Sequence, residues 1–195
     1  MFTLFEPSVE QIENFLAAQR DLPLSYDEVG ASRGAIPPGY PINHRRIQLG
    51  IGAEVYARAK DALQNWTMYQ LEWTRLYPAR VPIIARAVVC VVVNHRFCWS
   101  LNPCRIVYVV EEDEEIERCG FAFGTLPGHS EEGEERFTVE RRDDDSVWYE
   151  LLSFARPHHL LAKIGFPFVG FFQRRFAEDS QSAMLEAVRN KQPSN

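Results

Sequence analysis

Five segments rich in β-branched and aromatic residues follow one another in the second half of the chain, with only short polar stretches between them. Parallel strands need a crossover of a dozen or more residues between them, usually a helix. No helical spacing separates these five segments, so the pattern predicts an antiparallel meander. The predicted strands are residues 85–94, 104–110, 117–125, 134–141 and 147–155.

The stretches between these strands have the composition of solvated turns. Proline, glycine and runs of like charge interrupt strands and favour solvent. Turns are therefore expected at Asn102-Pro103, at the acidic run 111–115, around Pro127-Gly128 and at the aspartates 143–145.

Helical patterns precede the meander. Ser8 and Gln11 have the spacing of a capping box. The helix that they begin should end before Pro23, because proline disfavours helical geometry at the residue before it. A strand is expected over residues 43–49, and a second helix from Ala53. The helical spacing of that second helix is carried by Tyr56, Ala59, Leu63 and Trp66.

The end of the chain is again helical. Pro157 suits a first helical turn, and Pro167 is expected to interrupt or kink the helix. An aromatic stripe follows, made of Phe168, Phe171, Phe172 and Phe176. Helices, a meander and a long final helix together predict an α+β fold. The expected organisation is one domain, residues 1–195, in which residues 1–40 form an N-terminal helix and a turn-rich extension.

Charge and composition argue against several classes of function. A net charge of −6 is unfavourable for a general nucleic-acid binder. No stretch approaches the roughly 20 apolar residues of a membrane span, and the first residues lack the pattern of a secretory signal. The four cysteines have neither zinc-site nor C-x-x-C spacing. We therefore expect a cytoplasmic protein with reduced thiols and with no metal or cofactor.

Glu135 is the most informative charge in the sequence. It shares the parity of Phe137 and Val139, which should point toward the helices. A carboxylate on an apolar face is costly unless it is paired or hydrogen-bonded. Two interpretations stay open. Glu135 is either a strand-end group that reaches solvent or an arginine such as Arg105 or Arg156, or a polar anchor for a bound ligand.

His129 is a second candidate, in the turn between the strands that contain Phe123 and Glu135. An imidazole titrates near neutral pH and can act as a general acid or base. A single histidine in a glycine- and proline-rich turn is more often a capping or surface group. The common phosphate-binding and hydrolase motifs are absent from the sequence.

The run GFAFGTLPGHSEEGEERF at residues 120–137 resembles the hallmark of a family of unknown function, DUF1990. SYDEVGAS at residues 25–32, LGIG at 49–52, NPCRIVYV at 102–109 and ARP at 155–157 agree with it. Three residues depart from the family pattern. Phe123 stands where tyrosine is usual, Ala155 where serine is usual, and Ser32 where threonine is common.

The family resembles the START-like, helix-grip superfamily. The resemblance implies a curved antiparallel sheet around a long C-terminal helix, often with an apolar cavity, and here with an extra N-terminal helix. It implies no settled activity. On this basis the expected ligand-binding residues are Arg105, Phe121, Phe123, His129, Glu135, Phe137, Phe168, Phe171 and Phe172.

Three functional hypotheses remain open at this point. The first is binding of a small hydrophobic molecule, such as a lipid, an isoprenoid or a polyketide-like compound, between the sheet and the final helix. The second is an enzyme on the same scaffold that uses Glu135 or His129 for proton transfer. The third is a non-catalytic interaction protein whose aromatic residues fill a core. Fold alone does not choose among them.

Overall fold

The computed structural model describes residues 1–110, 117–157 and 166–189, with side chains in the last range described from residue 170 onward. The acidic run 111–115 and the side chain of Phe168 lie outside this description. The helices are α1 (Val9–Gln19), α2 (Ala53–Gln64) and α3 (Phe166–Arg189), with short 3-10 turns at Ala31–Arg33 and Thr67–Tyr69. The strands are β1 (Phe2–Thr3), β2 (Ile42–Ile51), β3 (Thr74–Tyr77), β4 (Val88–Asn94), β5 (Trp99–Val110), β6 (Glu117–Thr125), β7 (Glu131–Arg141) and β8 (Ser146–Pro157).

The eight strands form one antiparallel sheet in the order β2-β8-β7-β6-β5-β4-β3, and β1 pairs with β5. Strands β3 to β8 are therefore a continuous meander, and β2 joins its far edge by pairing with β8. The sheet is curled into a half-barrel with the C-terminal helix α3 against it. This confirms the α+β, START-like fold expected from the sequence.

The N-terminal helix begins as its sequence predicts. Ser8 Oγ accepts a hydrogen bond from the Gln11 N–H, and the Gln11 side chain accepts one from the Ser8 N–H. Ile12 and Leu16 of α1 pack against Cys90, Val92 and Leu101. The alternate β4 residues Val89 and Val91 belong instead to the main core. Strand β4 is thus covered on both faces, which explains its unbroken apolar sequence.

Two prolines lie in strands where the sequence suggested other structure. Asn102-Pro103, expected to be a turn, lies inside β5. The Pro103 carbonyl accepts a hydrogen bond from the Leu126 N–H, just beyond the end of β6. A residue other than proline would direct its N–H to the same side, where the Leu126 carbonyl oxygen already accepts a hydrogen bond from the His129 backbone N–H.

Pro157 is the other case, since it ends β8 opposite Glu131 and does not begin a helix. Helix α3 starts at Phe166, so Pro167 lies in its first turn. Proline is tolerated in a first turn because the N–H groups there have no partner within the helix.

The N-terminal extension is fastened to the outer face of the sheet by the buried carboxylate of Glu134. One oxygen accepts hydrogen bonds from Tyr26 Oη and the Gly30 N–H, both at 2.7 Å. The other accepts from the Ser32 N–H at 3.0 Å and from Ser32 Oγ. A carboxylate that accepts several hydrogen bonds from ordered donors can be buried at acceptable cost.

The rest of the outer face is ionic. Arg46, Arg118 and Arg142 all pair with Glu140, and Arg136 pairs with Glu150. Arg141 pairs with Glu117 and Asp145. Arg46, Arg141 and Arg142 therefore contribute to a surface network of ion pairs. The four cysteines are free thiols.

Gly133 in β7 offers a test of this sheet geometry. Its φ is +150°, and a Cβ there would lie 2.0 Å from the Phe154 carbonyl oxygen on β8. We expect Gly133→Ala to lower the free energy of unfolding by about 2–3 kcal/mol, because the two strands must move apart. Gly170→Ala in α3, whose added Cβ would meet nothing closer than 3.9 Å, should not destabilise the protein. Chemical denaturation of both variants checks this, and equal stability of the Gly133→Ala variant and the wild type would contradict it.

Candidate functional site

A cavity of about 350 Å³ lies between the concave face of the sheet and α3. One part of its wall is apolar and mostly aromatic, formed by Tyr69, Trp73, Val91, Val93, Phe123, Phe172 and Phe176. The other part carries polar groups, among them His95, Asn102, His129, Ser130, Glu131, Glu135 and Gln173.

The cavity exists because the inner face of the sheet changes from large to small side chains along its strands. At one end Phe121, Phe137 and Tyr149 are completely buried and fill the core together with Met184 and Val188 of α3. At the other end the inward positions hold small residues, which leave space that α3 does not fill. These are Ser100, Cys104, Thr125, Gly133, Ser153 and Ala155.

Glu135 lies on the cavity wall, as its parity predicted, but its partner is not an arginine. Tyr69 Oη donates a hydrogen bond of 2.9 Å to Glu135 Oε2. Arg105 instead donates to the carbonyl oxygens of Arg20 and Leu22, and Arg156 pairs with Glu132. The arginine pairing suggested by the sequence is therefore wrong.

Burial raises the pKa of Glu135 to about 8. The hydrogen bond from Tyr69 favours the ionised form and lowers this pKa, and the nearby charge of Glu131 raises it. Burial also raises the pKa of Tyr69 well above its usual value of 10, with the charge of Glu135 adding to that shift. At neutral pH the Glu135 carboxyl is therefore largely protonated and can itself donate a hydrogen bond.

Glu131 is a second carboxyl on the same wall, four residues before Glu135 on β7. Gln173 of α3 donates a hydrogen bond of 2.5 Å to Glu131 Oε1. Burial raises the pKa of Glu131 to about 7, and the hydrogen bond from Gln173 lowers it. Gly133 lies between the two carboxyls and has no side chain to separate them.

His129 has a structural contact in the turn that precedes β7. Its Nδ1 accepts a hydrogen bond of 2.9 Å from the Glu131 N–H, and the backbone N–H of His129 donates to the Leu126 carbonyl oxygen. This is the capping role that a histidine in such a turn most often has. The ring also borders the cavity.

A row of hydrogen bonds crosses the floor of the cavity. Ser130 Oγ donates to Asn102 Oδ1 at 3.0 Å, and Asn102 Nδ2 donates to Ser100 Oγ at 2.8 Å. His95 Nε2 lies 2.8 Å from the same Ser100 hydroxyl. Burial lowers the pKa of His95, so its ring is neutral at pH 7. The ring also packs edge-on against Phe172, with 4.7 Å between their centroids.

The residues expected from the sequence to bind ligand fall into three groups. Phe123, His129, Glu135 and Phe172 line the cavity. Phe121 and Phe137 lie in the filled core beside it. The others are placed elsewhere: Arg105 holds the end of α1, Phe171 is 53% exposed, and the Phe168 side chain lies outside the described residues.

Sequence reasoning missed several residues of the wall, above all Tyr69, His95, Asn102, Glu131 and Gln173. A signal existed for Glu131, which has the same parity as Glu135 in the same strand. No local pattern marked Tyr69 or His95, since each lies in a turn whose position depends on the folded chain.

Among residues 1–110, 117–157 and 166–189, no group of three or more His, Cys, Asp or Glu side chains is placed to hold a metal ion. Within the same ranges no helix is long and apolar enough to cross a membrane.

Comparison with known proteins places this architecture in a family. Residues 25–183 match the family described as "Domain of unknown function (DUF1990)". The chain belongs to this family. A UPF0548 protein of Dictyostelium discoideum is 32% identical over 98% of this chain and 98% of its own length. A UPF0548 protein of Arabidopsis thaliana is 37% identical over 77% of this chain and 74% of its own length.

Solved structures with low sequence identity share the fold. A hypothetical protein of Helicobacter pylori has a TM-score of 0.54 at 10% identity, covering 85% of this chain and 96% of that one. Human STARD10 has a TM-score of 0.50 at 10% identity, covering 97% of this chain and 82% of that one. At such identities the likeness concerns the fold alone, and it agrees with the START-like architecture described above.

The raised pKa of Glu135 predicts a particular dependence of stability on pH. The unfolded chain ionises this group near its usual pKa of 4.5, whereas the folded protein holds the proton until about pH 8. Between these values the folded state binds more protons, so the group's contribution to stability falls as pH rises, by up to about 1.4 kcal/mol per pH unit.

Glu135→Gln removes this titration, so the wild type should lose stability relative to the variant between pH 5 and 8. Above pH 8 the difference should become constant. Urea unfolding of both proteins across this range measures it. A difference that stays constant, or that changes in favour of the wild type as pH rises, would show that Glu135 is solvated in the folded state.

Proposed function

We propose that this protein binds a small, mostly apolar molecule in the cavity between the sheet and α3. Lipid-like, isoprenoid-like and polyketide-like compounds are the classes that suit such a wall. The observation that carries the proposal is the change from large to small inward side chains along the strands. The same sheet packs tightly at one end, and at the other it keeps a space of about 350 Å³ lined with aromatic rings.

The composition of the wall supports this proposal. Sites for small molecules are concave and mostly apolar, enclose about 300–1,000 Å³, and carry a few placed polar groups. Here Tyr69, Phe123, Phe172 and Phe176 supply apolar surface, and Glu135 supplies a polar group at a defined position. A filled core would favour the interaction-protein hypothesis, and the cavity gives that hypothesis no support.

Filling the cavity should abolish binding without unfolding the protein. Val93 lines the cavity from β4, and Val93→Phe would place a ring in it. We expect the affinity for N-phenyl-1-naphthylamine, a neutral apolar fluorescent probe, to fall at least tenfold. The matched control is Val29→Phe, the same change at an exposed position, which should bind like the wild type. Probe binding that is equal in all three proteins would refute the cavity as the binding site.

A second candidate function is proton transfer on a molecule bound in the same cavity. Burial raises the pKa of Glu135 to about 8 and that of Glu131 to about 7. Carboxyls with pKa values near the working pH are suited to general acid–base catalysis, and shifts of this kind in a cleft often mark functional groups. The Tyr69 hydroxyl holds Glu135 in place and would orient its proton.

Isotope exchange distinguishes catalysis from binding. Ligand recovered from the purified protein is returned to the wild type in D₂O and analysed by mass spectrometry. A proton-transfer enzyme should introduce deuterium at a carbon of the ligand, and Glu135→Gln should slow this exchange at least a hundredfold. Absence of carbon-bound deuterium with the wild type would leave binding as the function and reject this second candidate.

A further inference from the structure

The two carboxyls on the cavity wall each use only one oxygen in contacts within the protein. Glu135 Oε2 accepts from Tyr69 Oη, and Glu131 Oε1 accepts from Gln173 Nε2. The other oxygen of each group accepts no hydrogen bond from any residue in the described ranges. Both side chains line the cavity, so each offers a carboxyl oxygen to whatever enters it, and that oxygen is an acceptor when the carboxyl is ionised.

No fixed positive charge balances these carboxyls within the described wall. The lining residues placed by the structure include neither lysine nor arginine. His95 is buried with a lowered pKa and stays neutral, and His129 uses Nδ1 as an acceptor. The nearby arginines have partners of their own: Arg156 pairs with Glu132, and Arg175 pairs with Asp179 at 3.4 Å and lies 4.7 Å from the centroid of the Trp73 ring.

Aromatic rings surround the same space. Tyr69 stacks on Phe176 with 4.8 Å between centroids, and Tyr69 lies 6.1 Å from Phe123. Trp73 lies 5.8 Å from Phe172. The faces of such rings attract cations, more strongly when the site excludes water. The wall therefore combines acceptor oxygens with negative ring faces.

We propose that the molecule bound in this cavity is a cationic amine with an apolar body, whose ammonium group contacts Glu135 between the aromatic rings. This inference rests on the binding function proposed above and adds the chemical class of the ligand. A carboxylate or phosphate group would instead meet two carboxyls on a wall whose described lining residues include neither lysine nor arginine, which costs free energy.

An ammonium ligand would couple binding to protonation. The titratable residues that line the cavity are Glu131, Glu134, Glu135, Tyr69, His95, His129, Cys98 and Cys104. Burial raises the pKa of Glu131 to about 7 and that of Glu135 to about 8, so both carboxyls ionise near neutral pH. An ammonium group favours their ionised forms, so its entry should release a proton at neutral pH. Affinity should therefore rise with pH up to about 8 and fall only when the amine itself deprotonates.

Three probes with the same alkyl chain isolate the contribution of the head group. Decylammonium, 1-decanol and decanoate are each titrated at pH 7.5 against bound N-phenyl-1-naphthylamine. We expect decylammonium to bind about tenfold more tightly than 1-decanol and at least a hundredfold more tightly than decanoate. In Glu135→Gln the preference for decylammonium over 1-decanol should fall below twofold, and 1-decanol should change less than threefold. The matched control Glu178→Gln, at an exposed position of α3, should keep the wild-type preference.

The outcomes separate this inference from the proposed function. Binding of 1-decanol or decanoate as tightly as decylammonium would overturn the amine inference and leave the cavity as an apolar binding site. Failure of all three probes and of the naphthylamine would overturn the binding function itself. If the Glu135→Gln variant does not fold, the pH dependence of binding to the wild type still tests the amine inference. The affinity of the wild type for decylammonium must then rise at least fivefold from pH 6 to 8, while that for 1-decanol stays constant.

Discussion

The alternation of side chains along β7 is the constraint on which the rest of this structure depends. Successive residues of a strand point to opposite faces, so one strand serves three purposes. Its inward residues first border the cavity and then fill the core: Glu131, Gly133, Glu135, Phe137 and Val139. Its outward residues hold the N-terminal extension through Glu134 and the ionic network through Arg136 and Glu140. A shift of one residue in register would exchange the two sets.

Glu134 and Glu135 are adjacent in sequence, but their carboxyl groups lie on opposite faces of the sheet and have different numbers of hydrogen-bond donors. Glu134 is surrounded by donors from residues 26–32, which satisfy both of its oxygens. Glu135 has one donor, the Tyr69 hydroxyl, and its burial raises its pKa to about 8. Glu134 therefore serves the fold. Glu135 costs stability whenever it is ionised, and that cost is typical of groups kept for function.

Two of the three residues that depart from the family pattern lie in the cavity wall. Phe123 and Ala155, where tyrosine and serine are usual, both line the cavity. Neither residue brings a hydroxyl group to the wall. A larger share of its polar character falls on Glu131, Glu135 and the hydrogen-bonded row from Ser130 to His95.

Local patterns in the sequence determined the capped first helix, the β6 strand with its ends, the antiparallel meander and the inward direction of Glu135. Those features depend on neighbouring residues and on the two-residue period of a strand. Only the tertiary structure decided which group Glu135 contacts. Its donor, Tyr69, lies 66 residues away in sequence, and the folded position of the 3-10 turn Thr67–Tyr69 brings the two side chains together. It also decided that Pro103 belongs to a strand, since that depends on where β6 ends. The cavity arises because small inward side chains on several strands leave a volume that α3 does not fill. No single segment of the sequence reveals this volume, since it depends on residues that are distant in sequence.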